Sequence, residues 1–197
     1  MRPYQTILIF TTGIIVIAIA VFVFYGGGPG GRGVAAIGGP FTLTDQTGRT
    51  RTEKDLNGSY NLIYFGYTFC PDVCPTALQV ISNAMDLLEK DLQNSITPIF
   101  ITVDPTRDTV EHLKSYVENF HPRMIGLTGT EVEIAKAARA YRVFYSKSEN
   151  TDDTTDYLMD HSSIVFLMNP EGVYMTHFTH TIKPERMAEA LKREIGK

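Results

Sequence analysis

The sequence predicts an α/β domain with a mainly parallel sheet, and three observations lead to that prediction. A short alternating segment with a turn opens the domain, which is typical of a β-hairpin. Strand-like and helix-like segments then follow one another, and this alternation indicates parallel strands joined by helices. Both cysteines of the chain, Cys70 and Cys74, stand where the first of these strands gives way to a helix.

The first half of the domain contains the hairpin, one apolar strand and one helix. The predicted hairpin covers residues 40–56, "PFTLTDQTGRTRTEKDL", with Phe41 and Leu43 ahead of a "DQTG" turn. The stretch "YNLIYFGYTF" is apolar at consecutive positions, as expected of a central strand buried on both faces. After the cysteines, "PTALQVISNAMDLLEKDL" places apolar residues at helical spacing, and Pro75 is compatible with a first turn.

The second half of the domain continues the alternation. The predicted elements are the strand "ITPIFITV", the capped helix "DPTRDTVEHLKSYVENF", the strand "RMIGLTG" and the helix "TEVEIAKAARAYRVFY". A polar loop precedes "SSIVFLMNPEGVYMTHF", which reads as two strands joined by an "NPEG" turn, and "KPERMAEALKREI" forms a last helix from Lys183 or Pro184. This order predicts a thioredoxin-like fold with an N-terminal β-hairpin.

One transmembrane helix is expected ahead of the domain. Residues 7–25, "ILIFTTGIIVIAIAVFVFY", carry no charge, and their length as a helix is about enough to cross a bilayer. A cleaved signal peptide is the alternative, but its apolar core is usually only about 7–15 residues long. We expect residues 1–6 to be a short cytoplasmic N-terminus, 7–25 a transmembrane anchor, 26–39 a glycine-rich linker and 40–197 the folded domain.

Charge and flanking residues predict the location and exclude one class of partner. Arg2 and the terminal amine precede the apolar segment, which favours a cytoplasmic N-terminus. We expect a single-pass protein of a bacterial inner membrane with its C-terminal domain in the periplasm, where disulfides form. The net charge of -4 offers no basic surface, so we expect no nucleic acid as a partner.

Three roles are open to Cys70 and Cys74: a structural disulfide, a redox pair that cycles, and two thiolate ligands of a metal. Three residues separate the cysteines, whereas a thioredoxin-type centre has two. On a helix, positions i and i+4 have Cβ atoms about 5–6 Å apart. A disulfide needs Cβ atoms about 3.5–4.5 Å apart, so the spacing permits all three roles and slightly favours the metal.

A metal site needs more ligands than two cysteines, and the chain has five histidines: His112, His121, His161, His177 and His180. We expect His112 and His121 on the surface, and His177 and His180 in structural or surface positions. His161 immediately precedes the strand "SSIVFLMN", which in a thioredoxin-like sheet neighbours the strand leading to the cysteines. Two thiolates and one imidazole suit Cu(I) and hold Cu(II) with help from another ligand, while zinc with an open position is an alternative.

Five motifs occur in order between Gly38 and Ile195: "GGPFTLTD", "NLIYFGYTFCPDVCPTAL", "ITVDPTRDT", "MIGLTGT" and "DYLMDHSSIVFLMNPEG". Through them the chain resembles the SCO/SenC family of copper-binding cytochrome c oxidase assembly proteins. The resemblance implies a membrane-anchored, thioredoxin-like domain that binds one copper through Cys70, Cys74 and His161. Family members often have a histidine directly before the first cysteine, where this chain has Phe69.

The resemblance also implies two functions and several partners. One function is that of a metallochaperone that assists assembly of the dinuclear copper centre of cytochrome c oxidase subunit II. The alternative is a thiol-disulfide reductase that keeps the cysteines of that subunit reduced, with Cys70 and Cys74 as the catalytic redox pair. Another periplasmic copper donor and a thiol reductant are further expected partners. A third alternative function, that of a peroxidase of related fold, would need one low-pKa cysteine backed by an arginine.

Two other polar motifs receive structural interpretations. In "DPTRDT", Asp104, Arg107 and Asp108 are interpreted as an ion-paired cap of the following helix. Asp160, directly before His161, is a candidate partner that would orient the imidazole. We expect both motifs to support the structure, and neither is included among the site residues.

Overall fold

The computed structural model describes residues 36–148 and 157–196 of the chain. The expected terminus and anchor at residues 1–25, and the expected linker up to residue 35, lie outside the described residues. Within the part of the chain that is described, no helix has the length and apolar character that a membrane crossing requires. The compact unit begins at Ala36, and the Gly38 N–H donates to the Ala140 carbonyl at 2.9 Å. Residues 36–39, assigned to the linker from sequence, are therefore attached to the domain.

The described residues form strands, α-helices and one short 3₁₀-helix at Glu53–Leu56. The strands are β1 (Thr42–Asp45), β2 (Thr50–Thr52), β3 (Tyr60–Gly66), β4 (Ile96–Thr102), β5 (Ile125–Thr128), β6 (Tyr145–Lys147), β7 (Met159–His161), β8 (Ile164–Met168) and β9 (Tyr174–Thr179). The helices are α1 (Val73–Asp86), α2 (Lys90–Ser95), α3 (Val110–Val117), α4 (Glu131–Tyr141) and α5 (Pro184–Ile195). The predicted elements occur in the predicted order, including the opening hairpin and a last helix that begins at Pro184, and α2, β6 and β7 are additional.

Seven strands form one sheet in the order β2-β1-β5-β4-β3-β8-β9. Strand β4 runs parallel to both β3 and β5, and the other neighbouring pairs are antiparallel. The prediction of a mainly parallel sheet is therefore wrong in extent. The parallel centre contains three strands, because the β1–β2 and β8–β9 hairpins extend the sheet on both sides with antiparallel pairs that need only short turns.

Strand β3 is an interior strand of this sheet, between β4 and β8. After Tyr60, every one of its residues is buried, which confirms the prediction of a strand covered on both faces. The register places Tyr64 opposite Phe100 on β4 and Val165 on β8. The strand that leads to the cysteines is therefore held by ladders on both sides, and its end is a fixed point in the domain.

The helix after the cysteines is shorter than the sequence predicts. Helix α1 ends at Asp86, and α2 begins separately at Lys90. The Met85 carbonyl accepts the Leu88 N–H at 3.1 Å and the side-chain amide of Gln93 at 3.1 Å. The end of α1 is thus hydrogen-bonded without a continuing helix, which periodic spacing of leucines does not reveal.

A second sheet of two strands was not predicted from the sequence. The prediction extends a helix to Tyr145, but α4 ends at Tyr141, and Arg142 has a left-handed backbone with φ of 57°. The chain then enters β6, which pairs antiparallel with β7 and places Tyr145 opposite His161. This pair, called the β6–β7 ribbon below, carries His161 into the site.

Candidate metal centre

The two cysteines lie at the junction between β3 and α1. Strand β3 ends at Gly66, and Cys70 lies in the connecting loop, where its N–H donates to the Tyr67 carbonyl at 3.3 Å. Cys74 is in the first turn of α1, and its N–H donates to the Sγ atom of Cys70 at 3.4 Å. Cys70 is half-buried and Cys74 is fully buried. The predicted strand-to-helix position of the motif is confirmed.

The loop before Cys70 is fixed by a buried carboxylate. Asp108 accepts hydrogen bonds from the Thr68 N–H at 3.1 Å and from the Thr68 hydroxyl at 2.6 Å. The Thr102 hydroxyl, at the end of β4, donates to the same carboxylate at 2.5 Å. Burial raises the pKa of Asp108, although these hydrogen bonds oppose the rise. The carboxylate therefore joins the cysteine loop to the neighbouring strand.

The "DPTRDT" motif caps the following helix through its last residue, and Asp104, Arg107 and Asp108 have roles other than the predicted cap. Thr109 is the N-cap of α3, and its hydroxyl accepts the His112 N–H at 3.2 Å. Asp104 and Arg107 do form the expected ion pair, with an N–O distance of 2.6 Å. The cap prediction is wrong because Asp108 is used by Thr68 instead. The motif lies beside the cysteine loop and supports it.

His161 completes a group of three ligands. Its Nε2 atom lies 3.2 Å from the Sγ atom of Cys74, although 87 positions separate the two residues. The ligand atoms of Cys70, Cys74 and His161 all lie within 4.8 Å of one another. The Nδ1 atom is 3.4 Å from the Ser162 carbonyl, which suits an N–H donor at Nδ1 and leaves the Nε2 lone pair directed at the cysteines. The structure therefore brings together the three residues that the sequence analysis selected.

Two tyrosine rings flank the imidazole. The His161 ring meets the rings of Tyr64 and Tyr67 edge-on, with centroid distances of 6.0 Å and 5.9 Å. Both tyrosines are buried, and the Tyr64 hydroxyl donates to Cys74 Sγ at 3.8 Å. The aromatic rings restrict the orientation of the imidazole and shield one side of the centre from water.

The two thiols differ sharply in their acid strength. Interaction with the Cys74 thiol, with a smaller contribution from His161, holds the pKa of Cys70 well below its usual range, despite partial burial. The interaction with Cys70, together with burial, raises the pKa of Cys74 well above its usual range. In the reduced, metal-free pair, Cys70 is therefore the thiol that loses its proton first.

The predictions for the first two histidines have different outcomes. His112 is exposed, as expected, and its ring stacks on Phe69 with centroids 5.1 Å apart. His121 is only 5% exposed, so the prediction of a surface residue is wrong. Its Nδ1 atom accepts the Arg123 N–H at 3.2 Å, and burial lowers its pKa. The turn that contains this hydrogen bond buries His121. The sequence of the turn has no periodic pattern from which this burial could be predicted.

The remaining polar candidates lie outside the ligand group that the described residues form. His177 is exposed and is hydrogen-bonded to the Tyr174 hydroxyl at 2.6 Å, and His180 is half-buried, as expected for structural or surface residues. Asp160 is exposed and lies in the wall of the cavity that opens onto the centre. The Ser162 carbonyl takes the orienting role predicted for Asp160.

The centre opens to solvent through a cavity of about 270 Å³. Cys70 and His161 lie in its wall, beside Pro71, Leu158 and Asp160. Two soft thiolates and an imidazole can bind a soft metal ion. Because one side of the site is open, ligands of another protein can approach the ion from that side. The same opening exposes Cys70 to a disulfide on another protein.

Residues 29–196 match the family model described as SCO1/SenC. The chain belongs to the SCO1/SenC family. The resemblance inferred from its motifs is therefore confirmed. This family match covers all the described residues of the domain and the three ligands of the centre.

Relatives and solved structures agree with membership of the SCO1/SenC family. The chain is 45% identical over 158 residues to the SCO2-like protein RP587 of Rickettsia prowazekii, covering 80% of this chain and 77% of the relative. It is 43% identical over 163 residues to "Protein SCO1 homolog 1, mitochondrial" of Arabidopsis thaliana, covering 83% of this chain and 48% of the relative. The chain thus spans about half the length of that plant relative.

Solved structures of SCO1/SenC proteins confirm the thioredoxin-like fold. Bradyrhizobium japonicum ScoI with copper bound has a TM-score of 0.74 and 46% identity, covering 81% of this chain and 99% of that chain. Arabidopsis thaliana ScoI with copper bound has a TM-score of 0.74 and 41% identity, covering 82% of this chain and 99% of that chain. Yeast Sco1 with copper bound has a TM-score of 0.76 and 37% identity, covering 82% of this chain and 90% of that chain.

Sequence reasoning missed several residues that support this SCO1/SenC centre. Tyr64 is predicted only as part of the apolar strand β3. Its contact with Cys74 follows from its position two residues before the end of that strand. Asp108 and Arg107 were assigned to a cap, because their contacts are long-range. The available signal was the dense set of polar residues in "DPTRDT" directly after a buried strand.

Proposed function

We propose that this chain is a membrane-anchored copper metallochaperone that assists assembly of the dinuclear copper centre of cytochrome c oxidase subunit II. The observation that carries the proposal is the convergence of Cys70, Cys74 and His161, whose ligand atoms lie within 4.8 Å of one another. Membership of the SCO1/SenC family, together with relatives whose structures contain copper, supports the choice of metal.

The donor set fits Cu(I) as the cargo. Two thiolates and one imidazole are soft or borderline ligands, and three of them satisfy Cu(I), which accepts low coordination. A structural zinc site would want four ligands, and the group in the described residues has three. Because Cys70 and burial raise the pKa of Cys74, binding of copper by the Cys74 thiolate requires loss of the thiol proton. The affinity for copper therefore rises with pH.

Delivery is proposed to proceed by exchange of ligands at the open side of the site. Cys70 is the more accessible of the two sulfur ligands, and the cavity that it lines leads to solvent. Thiolate or thioether groups of an acceptor can approach from this side and replace the protein's ligands one at a time. The proposed acceptor is subunit II, and another periplasmic copper protein is the proposed donor.

Anaerobic Cu(I) titration of the reduced domain against a chromophoric chelator tests this function. Wild type is expected to bind one Cu(I) tightly, whereas Cys70→Ala, Cys74→Ala and His161→Ala each lose at least about 100-fold in affinity. His177→Ala is the matched control, since His177 lies outside the ligand group, and it should bind as wild type does. Full affinity in Cys70→Ala would contradict the proposal.

The difference between the two thiols supports a second candidate, a thiol-disulfide reductase. The Cys70 thiolate would attack one sulfur of an acceptor disulfide, form a mixed disulfide and release the other acceptor sulfur as a thiolate. Cys74, after losing its proton, would attack Cys70 Sγ and release the second acceptor sulfur. The resulting Cys70–Cys74 disulfide would need two electrons from an external thiol reductant. His161→Ala should preserve this activity and abolish copper delivery, so oxidase assembly in that variant separates the two functions.

The proposed location is a bacterial inner membrane, with the domain in the periplasm. The apolar segment at residues 7–25 and the glycine-rich stretch at 26–35 support an anchor and a tether. A tethered domain meets a membrane-bound oxidase at high effective concentration. Protease treatment of spheroplasts tests the location: the domain should be digested from the outside, and protection would contradict it.

A further inference from the structure

Arg107 lies between the loop that carries Cys70 and the segment that carries His161. Its guanidinium carbon is 4.6 Å from the centroid of the Phe69 ring and 3.7 Å from the centroid of the Tyr157 ring. Phe69 directly precedes Cys70, and Tyr157 stands shortly before His161 at the start of the same described segment. The guanidinium is therefore in contact with the flanks of both halves of the metal centre.

Hydrogen bonds hold the Arg107 guanidinium in this position. The Nε atom donates to Asp104 Oδ2 at 2.6 Å, and Nη2 donates to the Tyr157 carbonyl at 2.9 Å. The Tyr157 hydroxyl donates to Asp104 Oδ1 at 2.7 Å, so the three residues form a closed ring. Asp104 and Tyr157 are buried, and the Arg107 side chain is 13% exposed. A charged group paired and covered in this way interacts more strongly than one at an open surface.

The segment that bears His161 depends on contacts of this kind. In the described residues, β7 pairs with β6 alone, and their ribbon is separate from the seven-stranded sheet. A two-stranded ribbon by itself is marginally stable in water. The edge-on contact between the Tyr67 ring and the His161 imidazole, with centroids 5.9 Å apart, also joins the ribbon to the cysteine loop. The hydrogen-bonded ring of Asp104, Arg107 and Tyr157 is a second attachment, which is charged, whereas the contact of Tyr67 is neutral.

We propose that Arg107 is a positioning residue for copper retention: by linking Phe69 to Tyr157, it holds His161 against Cys70 and Cys74. The inference rests on the proposed copper function of these three ligands. Arg107 touches neither the metal ligands nor the cargo, and it acts through the two segments that present them. Lysine would not replace it fully, because the ammonium group has no planar face to lie between two aromatic rings.

Three substitutions and one control separate positioning from general stability. Arg107→Gln removes the charge, Arg107→Lys keeps the charge without the planar group, and Phe69→Leu removes one ring at a side chain that is 47% exposed. The control is Arg123→Gln. Like Arg107, Arg123 donates two hydrogen bonds from its guanidinium, here to the carbonyls of Ile96 at 3.2 Å and Asn94 at 2.8 Å, but on a different part of the domain.

The first readout needs no metal. Hydrogen exchange of the reduced, copper-free protein, measured by NMR, follows the Ser148 amide, which donates to the Leu158 carbonyl across the β6–β7 ribbon at 2.8 Å. Exchange of this amide is expected to be about 10-fold faster in Arg107→Gln, because the ribbon opens locally more often. In Arg123→Gln, the exchange rate of the Ser148 amide, divided by the rates of the amides of β3, should equal the wild-type ratio.

The second readout is release of Cu(I) to an excess of chromophoric chelator. Release should be about 10-fold faster in Arg107→Gln, as typical for loss of a group that orients a ligand. It should be about 3-fold faster in Phe69→Leu, since one cation–π contact is removed. Arg107→Lys should lie between Arg107→Gln and wild type, and Arg123→Gln should match wild type. The Cu(II) form of Arg107→Gln should also show altered nitrogen hyperfine coupling from the imidazole.

The outcomes distinguish this inference from the proposed function. Equal release and equal exchange in wild type, Arg107→Gln and Phe69→Leu would overturn the positioning role and leave the copper site intact. A wild-type protein that binds no Cu(I) would overturn both. If Arg107→Gln does not fold, as judged by circular dichroism, Phe69→Leu decides: release at the wild-type rate overturns the inference, and the expected acceleration supports it.

Discussion

Asp108 accepts two hydrogen bonds from Thr68, one from the backbone N–H at 3.1 Å and one from the hydroxyl at 2.6 Å. The two residues are 40 positions apart, and Thr68 stands directly ahead of the Phe69–Cys70 pair. The bonds join the end of the central strand to the segment after β4. The position of the cysteine loop therefore depends on a carboxylate that is not a metal ligand.

Substitution of Asp108 should loosen the cysteine loop and lower the stability of the domain. Asp108→Ala leaves the Thr68 and Thr102 donors without their acceptor, and we expect a loss of about 3 kcal/mol in the free energy of unfolding. Thr68→Val keeps the shape and removes one hydroxyl, so about 1 kcal/mol is expected. Urea unfolding of the reduced domain measures both. A larger loss in Thr68→Val than in Asp108→Ala would contradict the assignment of the carboxylate as the common acceptor.

The two cysteines should react with an alkylating agent at very different rates. Cys70 is half-buried with a lowered pKa, whereas Cys74 is fully buried with a raised pKa. Iodoacetamide at pH 6 is expected to modify Cys70 at least about 10-fold faster than Cys74 in the reduced, metal-free protein. Peptide mass spectrometry of timed samples measures the two rates.

Cys74→Ala supplies the matched test of the cause. The thiol of Cys74 is the main group that lowers the pKa of Cys70, so its removal should raise that pKa. The pH at which Cys70 reaches half its maximal alkylation rate should then move upward. An unchanged pH profile would show that the Cys70 thiolate is stabilised by something other than Cys74.

Gly66 is expected to tolerate no side chain. A Cβ atom built at this position would lie 2.8 Å from Cys74 Sγ and 3.0 Å from side-chain atoms of Phe100 and Tyr64. Gly66→Ala should therefore cost about 1–3 kcal/mol in stability and displace the sulfur, weakening Cu(I) binding. Gly39→Ala is the control, because its added Cβ comes no nearer than 3.4 Å to Ala140. Wild-type Cu(I) affinity in Gly66→Ala would show that the sulfur moves without loss of the site.

The acid stability of the domain should depend on Asp45. Burial alone would raise the pKa of this carboxyl, but hydrogen bonds from Thr47, Arg51 and Arg49 outweigh it and lower the pKa to about 2. Because the folded pKa is below the unfolded value near 3.9, the contribution is present above about pH 4 and is lost as the pH falls toward 2.

Asp45→Asn removes this pH-dependent contribution, which is about 2 kcal/mol at neutral pH. Urea midpoints at a series of pH values should fall less steeply below pH 4 in Asp45→Asn than in wild type. Asp91→Asn, at an exposed position, is the control and should keep the wild-type slope. A wild-type slope in Asp45→Asn would place the acid sensitivity elsewhere in the domain.

The sequence was sufficient to predict which three residues converge at the candidate centre, but not which residues support them. Cys70, Cys74 and His161 have distinctive chemistry, and a strand with a strong apolar signal lies next to them in the sequence: β3 before the cysteines and β8 after the histidine. The β6–β7 ribbon has strands of three residues each, too short for alternation to be recognised. The ring of Asp104, Arg107 and Tyr157 joins residues up to 53 positions apart, so local patterns contain no trace of it.

The same limit explains the errors in the fold. The extent of the parallel sheet was overestimated because alternation predicts crossover connections and does not show which strands join an edge as hairpins. His121 was placed on the surface because helix periodicity ends before it, whereas the turn that follows buries it to 5% exposure. Each error concerns a contact between segments rather than a property of one segment.

The 87 positions between Cys74 and His161 have a consequence for how the centre forms during synthesis. The cysteines leave the ribosome long before the histidine, and a nascent chain of that length presents a bare dithiol. The three-ligand set exists after β8 has joined β3, which is a non-local and hence slow step of folding. Copper held by all three proposed ligands would thus mark a chain in which β8 has joined the sheet, and the bound ion would stabilise that state over its incompletely folded precursors.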